Sequence, residues 1–318
     1  MLTVAPHGRP RNYRQPTAPT APAPSLRPAH PLHPAPPRAS PASTDGPADV
    51  EILTGPVPTE LPGATDRGVR YQAAPGQLLL IVDGIARFLI ADGRRIVIES
   101  PPGADPEDVR LFLYGSAFAA LLHQRGDLVL HGSAIATGDT CVAFLGISGV
   151  GKSTTAIACQ RRGYPVLTDD VCAIRPDATG RLVLHPGLPH AKLWLDSLKQ
   201  FDLAPDGLQR IRPALEKRAV PLGTAFATVP LPVRKLYLLR ATNDPDLQLT
   251  SVEGPQRLNA LKQQTYRFHF VDGLAAKPAH FRAALALAQQ ATVTRVTRPE
   301  GAFRLTELVD RLEADFRP

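Results

Sequence analysis

The run Gly146-Ile147-Ser148-Gly149-Val150-Gly151-Lys152-Ser153 follows the spacing G-x-x-x-x-G-K-S, the pattern of a loop that wraps phosphate. Such a loop turns successive backbone N–H groups toward a β-phosphate; its lysine reaches the β- and γ-oxygens, and its serine hydroxyl can ligate Mg2+. Glycines let the backbone come that close. Gly146, Ser148, Gly149, Val150, Gly151, Lys152, Ser153 and the following Thr154 are therefore the expected nucleotide contacts, with ATP and Mg2+ as the expected cofactors. Downstream, Asp169-Asp170 offers two carboxylates. Phosphorylation of a hydroxyl uses one to hold Mg2+, directly or through water, and another to accept the hydroxyl proton. Neighbouring carboxylates titrate as a pair, so their order in the chain leaves open which is base and which is ligand.

Positioning these groups requires a buried strand before the loop and a helix after it. Residues 141–145 (C-V-A-F-L) form an apolar run fit for that strand, and 154–162 begin a helix. Residues 128–136 precede the strand across Thr137-Gly138-Asp139-Thr140, whose Gly-Asp centre is a two-residue hairpin signal. Pairing Thr137 with Thr140 sets His131 opposite Gly146, at the mouth of the loop, which makes His131 a candidate site residue. After the loop helix, Gly163 is a natural C′ residue, and 165–168 form a short strand ending in Asp169-Asp170. A crossover of this length suits a strand parallel to the loop strand, with the aspartates at the same sheet edge as Lys152 and Ser153.

Further along, 171–174 and 182–184 read as a hairpin about 176–180, followed by Pro186-Gly187-Leu188-Pro189. Leu193, Trp194 and Leu195 read as core. Glu216-Lys217-Arg218 is either a solvated charge cluster or a source of a cation for phosphate, with Arg218 the candidate. Residues 233–239 read as a strand, and 255–268, 278–290 and 304–316 as helices. Upstream, Asp83-Gly84 and Asp92-Gly93 punctuate β-rich runs between 77 and 100, a meander, and an almost wholly apolar helix starts at Pro106 and closes at Arg125-Gly126.

More than a third of the 34 prolines fall within residues 1–48, among Ala, Ser, Thr, His and Arg. That segment has too few large apolar residues for a core and is expected to be a disordered, polyproline-like tail. The expected domain is 49–318, with the meander at about 77–100, a nucleotide core at about 127–240 and a helical C-terminal part at about 253–318. Of the net charge of +7, Arg9, Arg11, Arg14, Arg27 and Arg38 against Asp45 carry the larger share in the tail. The body is nearly balanced, so no nucleic-acid partner is expected. Three cysteines without C-x-x-C spacing read as buried free thiols. The first residues lack an apolar signal region, and the longest apolar stretch, 109–122, is too short to span a bilayer. A cytoplasmic protein without membrane association is expected; a homo-oligomer stays open.

The ordered set H-G-S at 131–133, G-I-S-G-V-G-K-S-T at 146–154, R-G-Y at 162–164 and T-D-D-V at 168–171 resembles the catalytic core of the HPr kinase/phosphorylase superfamily. The match covers about 128–174. Pro186-Gly187, Lys192-Leu193-Trp194 and Glu216-Lys217-Arg218 are similar to HPr-kinase-like proteins outside the original family, which include kinases that phosphorylate lasso-peptide precursors. The resemblance implies an α/β P-loop kinase fold of the HPr kinase/phosphoenolpyruvate carboxykinase-like type, a mixed sheet here preceded by the β meander and followed by C-terminal helices. It implies triphosphate and Mg2+ at Lys152 and Ser153, Asp170 joining Ser153 at the metal, Asp169 as base toward a substrate serine, and His131 with Asp170 in support. Thr154 stands where the original family has Glu, and the E-x-R-G-x-G signature linked to phosphorolysis is absent from this sequence. The expectation is thus an ATP-dependent serine kinase acting on a protein or peptide other than HPr. An ATP-binding regulatory or assembly module and a small-molecule kinase are the alternatives.

Overall fold

The computed structural model describes residues 49–212, 215–300 and 304–317; the Pro-rich tail lies outside the described residues. The fold is a mixed α/β arrangement of several sheets and helices. It divides into two compact units, one formed by residues up to Asp127 together with Arg267–His280, the other by Leu128–Tyr266 and Phe281–Pro318.

The first unit holds the meander. Strands β1 (Glu51–Thr54), β2 (Asp66–Gly68), β3 (Tyr71–Ala74), β4 (Gln77–Val82), β5 (Ala86–Ala91) and β6 (Arg95–Glu99) order as β1-β6-β5-β4-β3-β2. Only β1 pairs in parallel. Helices α1 (Pro106–Phe112) and α2 (Phe118–Gln124) run on from one another through a π-turn at Leu113–Ala117. Their Phe112, Leu113, Phe118 and Leu121 pack into one core with Leu78, Phe88 and Ile96 of the sheet. That explains why the helix is apolar nearly all round. The segment Arg267–His280 returns to this unit, so it holds the end of the expected helix 255–268 and the start of the expected helix 278–290.

The second unit carries all the candidate site residues. Strands β7 (Leu128–Thr137) and β8 (Thr140–Leu145) form the expected hairpin, with Thr137 opposite Thr140 and Gly132 opposite Leu145. Strand β9 (Val166–Thr168) pairs with β7, antiparallel. It therefore runs in the direction of β8 but with β7 between them. Strands β10 (Val171–Pro176) and β11 (Leu182–Leu184) form the next hairpin. The sheet orders as β11-β10-β7-β8-β15-β17-β16, where β15 is Leu231–Thr242, β16 Gln248–Ser251 and β17 Thr292–Pro299. Strands β8, β15 and β17 are parallel neighbours.

Alternate residues of β7 and β8 enter different cores, as the two-residue period of a strand requires. Ala134, Ala136, Ala143 and Leu145 join Leu261, Ala284 and Leu287 of helices Pro255–Gln263 and Lys277–Gln290. Ile135, Val142 and Phe144 join Ala156 and Ile157 of α3 (Lys152–Gln160), Leu198 of α4 (Leu195–Gln200), and Leu308 and Leu312 of helix Leu305–Phe316. Burial on both faces is why residues 141–145 are a continuous apolar run. A separate three-stranded sheet orders as β12 (His190–Trp194), β14 (Leu215–Pro221) and β13 (Gln209–Arg212). The C-terminal part is less helical than expected, since β17 supplies a strand of the main sheet. The three cysteines are free and buried.

Candidate functional site

Strand β8 ends at Leu145, and the glycine-rich loop turns sharply there. Gly146 has φ 147°, and a Cβ at that position would lie 2.7 Å from the Leu239 carbonyl oxygen and 2.9 Å from Val150 Cγ1. Gly151, with φ 103°, opens α3 without a side-chain cap. The first N–H groups of a helix have no partner within it and carry a partial positive charge. Lys152 Nζ donates to the carbonyls of Gly146 and Ile147, each at 2.9 Å. Burial lowers its pKa to about 8, against the pull of Asp170 and Asp169. Arg298, from β17, braces the loop: its Nη2 donates to the Val150 carbonyl at 3.1 Å and its Nε at 3.3 Å. Thr154 points elsewhere, its Oγ1 lying 2.8 Å from Ser197 Oγ of α4.

The end of β9 delivers the aspartates. Asp169 Oδ1 accepts from Ser153 Oγ at 2.8 Å and from Ser133 Oγ at 2.6 Å, and its Oδ2 accepts from the Lys192 backbone N–H at 2.7 Å. Asp170 adopts φ 78°, which turns its carboxylate onto Lys192 Nζ at 2.7 Å. Burial alone raises the Asp170 pKa, but Lys192, His131 and Lys217 outweigh it and hold the carboxyl down to about 2. The same carboxylate keeps Lys192 charged despite burial.

His131 completes the group by a different contact from the one its hairpin register suggests. It is paired with Val171 of β10, and its Nδ1 lies 3.0 Å from the Asp170 carbonyl and 3.5 Å from Asp170 Oδ1. A carbonyl only accepts, so Nδ1 carries the proton. Burial and the Lys152 charge lower the ring's pKa, so the imidazole is neutral and its Nε2 holds a lone pair. Its ring stacks on Tyr266, with centroids 5.4 Å apart.

Lys152, Ser153, Asp169, Asp170 and His131 thus come together. Ser153 and Asp170, read from the sequence as the Mg2+ pair, engage different partners: the Ser153 hydroxyl is on Asp169 and the Asp170 carboxylate is on Lys192. Ser133 and Lys192 were not among the sequence candidates. Ser133 lies within the H-G-S stretch, and strand alternation from His131 on a wholly paired strand is the signal that could have found it. Trp194 is not core: it is 38% exposed, with Lys217 Nζ 4.7 Å from its ring centroid. Arg218 pairs with Leu193 and is buried, its Nη1 donating to the Lys217 carbonyl at 3.3 Å, so it is no solvated surface charge.

No protein-family model matches this sequence, and no curated protein matches it. Among solved structures, the chain is similar to the Hpr(Ser) kinase/phosphatase from Coxiella burnetii. The identity is 12%, the match covers 59% of this chain and 88% of that one, and the TM-score is 0.31. The likeness is weak. Among the described residues no helix is long and apolar enough to cross a membrane.

The arrangement has definite chemical capacities. An uncapped helix N-terminus, a glycine-rich loop and a buried lysine form a cradle for an anion. Among the described residues no three His, Cys, Asp or Glu side chains cluster as a metal cage. The Ser153 hydroxyl and Asp169 carboxylate are nonetheless hard oxygen donors of the kind Mg2+ takes when phosphate and water complete its shell. These residues fit both groups.

Proposed function

We propose that this protein is a P-loop kinase of the HPr-kinase-like type that transfers the γ-phosphate of ATP to a serine hydroxyl of a protein or peptide. The observation that carries the reading is the contact between the loop serine and the strand-end carboxylate, Ser153 Oγ to Asp169 Oδ1 at 2.8 Å, with Asp170 beside it. A binding module needs the loop; it has no need of a second carboxylate held ionised next to it.

In this reading Lys152 leaves the Gly146 and Ile147 carbonyls for the β- and γ-oxygens, and the N–H groups at the start of α3 hold the β-phosphate. Mg2+, when bound beside Ser153 and Asp169, neutralises phosphate charge. The Ser153 contact supports Asp169 as the metal-side carboxylate and leaves Asp170 to accept the hydroxyl proton, the reverse of what the family resemblance implies. A base with a pKa of about 2 suffices because the transition state is loose and the proton leaves late. His131 holds Asp170 in place through its main chain, and Lys192 fixes the carboxylate's direction. The bond from the γ-phosphorus to the bridging oxygen breaks, a bond to the serine oxygen forms, ADP leaves, and the proton passes to Asp170.

Two variants test the division of labour. Asp169→Asn is expected to raise the Mg2+ concentration needed for transfer, and Asp170→Asn to lower the rate even at saturating Mg2+, both measured below the variant's own melting transition. The opposite pattern would reassign the two aspartates; full transfer by both would sink the reading.

A further inference from the structure

We propose that Lys217, held over the indole of Trp194, is the cation that meets the phosphoryl group in transit; the role rests on the phosphotransferase reading above. The register of the small sheet carries the assignment. Lys192 pairs with Ala219, Leu193 with Arg218 and Trp194 with Lys217. Partners opposite one another share a face, and residues two apart on a strand do too. Lys192, Trp194 and Lys217 therefore share one face, while Leu193 and Arg218 share the other, where Leu193 is buried in the core.

The face that carries Lys217 is the one that serves the aspartates, because Lys192 on it holds Asp170 at 2.7 Å. Lys217 reaches the same groups electrostatically: burial lowers its pKa, while Asp170 and Asp169 pull it back up. Its charge is also felt by Lys152. Two ammonium groups thus interact electrostatically with the same two carboxylates from different elements, the helix α3 and the strand β14. Repulsion between them is relieved by an anion arriving there.

The three lysines differ in what occupies them. Lys152 donates to loop carbonyls and Lys192 is ion-paired. Lys217 has no ion pair with a carboxylate among the described residues, and its ammonium lies over an aromatic face. A cation–π contact holds a charge without satisfying its hydrogen-bond donors. Lys217 is therefore positioned by Trp194 with its donors available. In the transfer step it exchanges no atoms: the γ-phosphorus to oxygen bond breaks, the new bond forms at the acceptor oxygen, and the Lys217 charge offsets that gathering on the equatorial oxygens.

The test compares ADP with ADP plus aluminium fluoride, a planar mimic of the phosphoryl group in transit, by calorimetry on the full chain in Mg2+. Wild type is expected to bind the mimic more tightly than ADP alone. Lys217→Met should lose at least about tenfold of that gain, on the lower side of the roughly 10²–10³-fold scale for removing one transition-state donor, with ADP affinity within about twofold. Lys217→Arg should keep most of the gain, and Trp194→Leu should fall between; if the Met variant does not fold, Lys217→Gln takes its place. An unchanged gain in the folded Lys217 variant overturns the assignment while leaving the kinase reading standing, as does a proportional loss of both affinities. Failure of the wild type to bind ADP at all overturns both.

Discussion

Gly187→Ala is expected to destabilise the protein by pressing on the residue that precedes the aspartates. A Cβ on Gly187 would lie 2.1 Å from Thr168 Oγ1 and 2.9 Å from Thr168 Cβ. Thr168 is fully buried and its Oγ1 donates to the Val171 carbonyl at 2.7 Å, so it has no free direction in which to retreat. Overpacking of this kind costs about 1–3 kcal/mol, against a gain of about 0.4–1 kcal/mol from stiffening the unfolded chain. The net expectation is a loss of about 1–2 kcal/mol in urea unfolding, with unchanged m-value. Thr168→Ala removes the 2.1 Å contact but keeps the 2.9 Å one, and alone costs about 1 kcal/mol for the lost hydrogen bond. The two substitutions together should then be less damaging than their sum by about 1 kcal/mol. Strict additivity, or a Gly187→Ala variant as stable as wild type, would refute the steric argument. Because Asp169 follows Thr168 directly, Gly187→Ala should also shrink the thermal shift given by ATP and Mg2+.

Three further outcomes follow from the same geometry. Asp170, with its folded pKa depressed from 3.8 to about 2, contributes stability that is complete above about pH 4 and is lost as pH falls toward 2, at most about 2 kcal/mol; acid titration of unfolding should show this limb and Asp170→Asn should flatten it. Lys152, with a pKa near 8, must be charged to meet a triphosphate, so ATP affinity measured by calorimetry should fall as pH rises through about 8, with proton uptake on binding; a Lys152→Met variant should bind weakly and lose that slope. Arg298→Gln removes the brace on the Val150 carbonyl; at about 1–2 kcal/mol for these bonds it should weaken ADP binding by roughly 5- to 30-fold, and an unchanged affinity would show that the loop needs no support from β17.

The parts of the site that were legible in the sequence are those fixed by local chemistry. The Gly-Asp turn set the register of β7 and β8 to the residue, because a two-residue hairpin leaves no slack. The length of the loop helix put the end of β9 at the edge where β8 ends. What escaped depended on pairing between distant strands. Lys192 of β12 reaches Asp170 at the end of β9 from a different sheet, and nothing local to either residue announces that contact. Strand β17 is rich in Thr and Val and pairs with β15, yet it sits between two helices in the part of the chain expected to be helical. The choice between Lys217 and Arg218 turned on parity in a sheet whose register only the fold supplies.

The central claim is phosphoryl transfer to a serine. Its most direct test is to incubate the protein with γ-labelled ATP, Mg2+ and a lysate of its source cells, using Lys152→Ala as the control, and to map the labelled residue by mass spectrometry. The expected result is phosphoserine on a protein or peptide with wild type and none with the variant. Tight ATP binding with no label above the Lys152→Ala control would contradict the account and leave a nucleotide-binding module in its place.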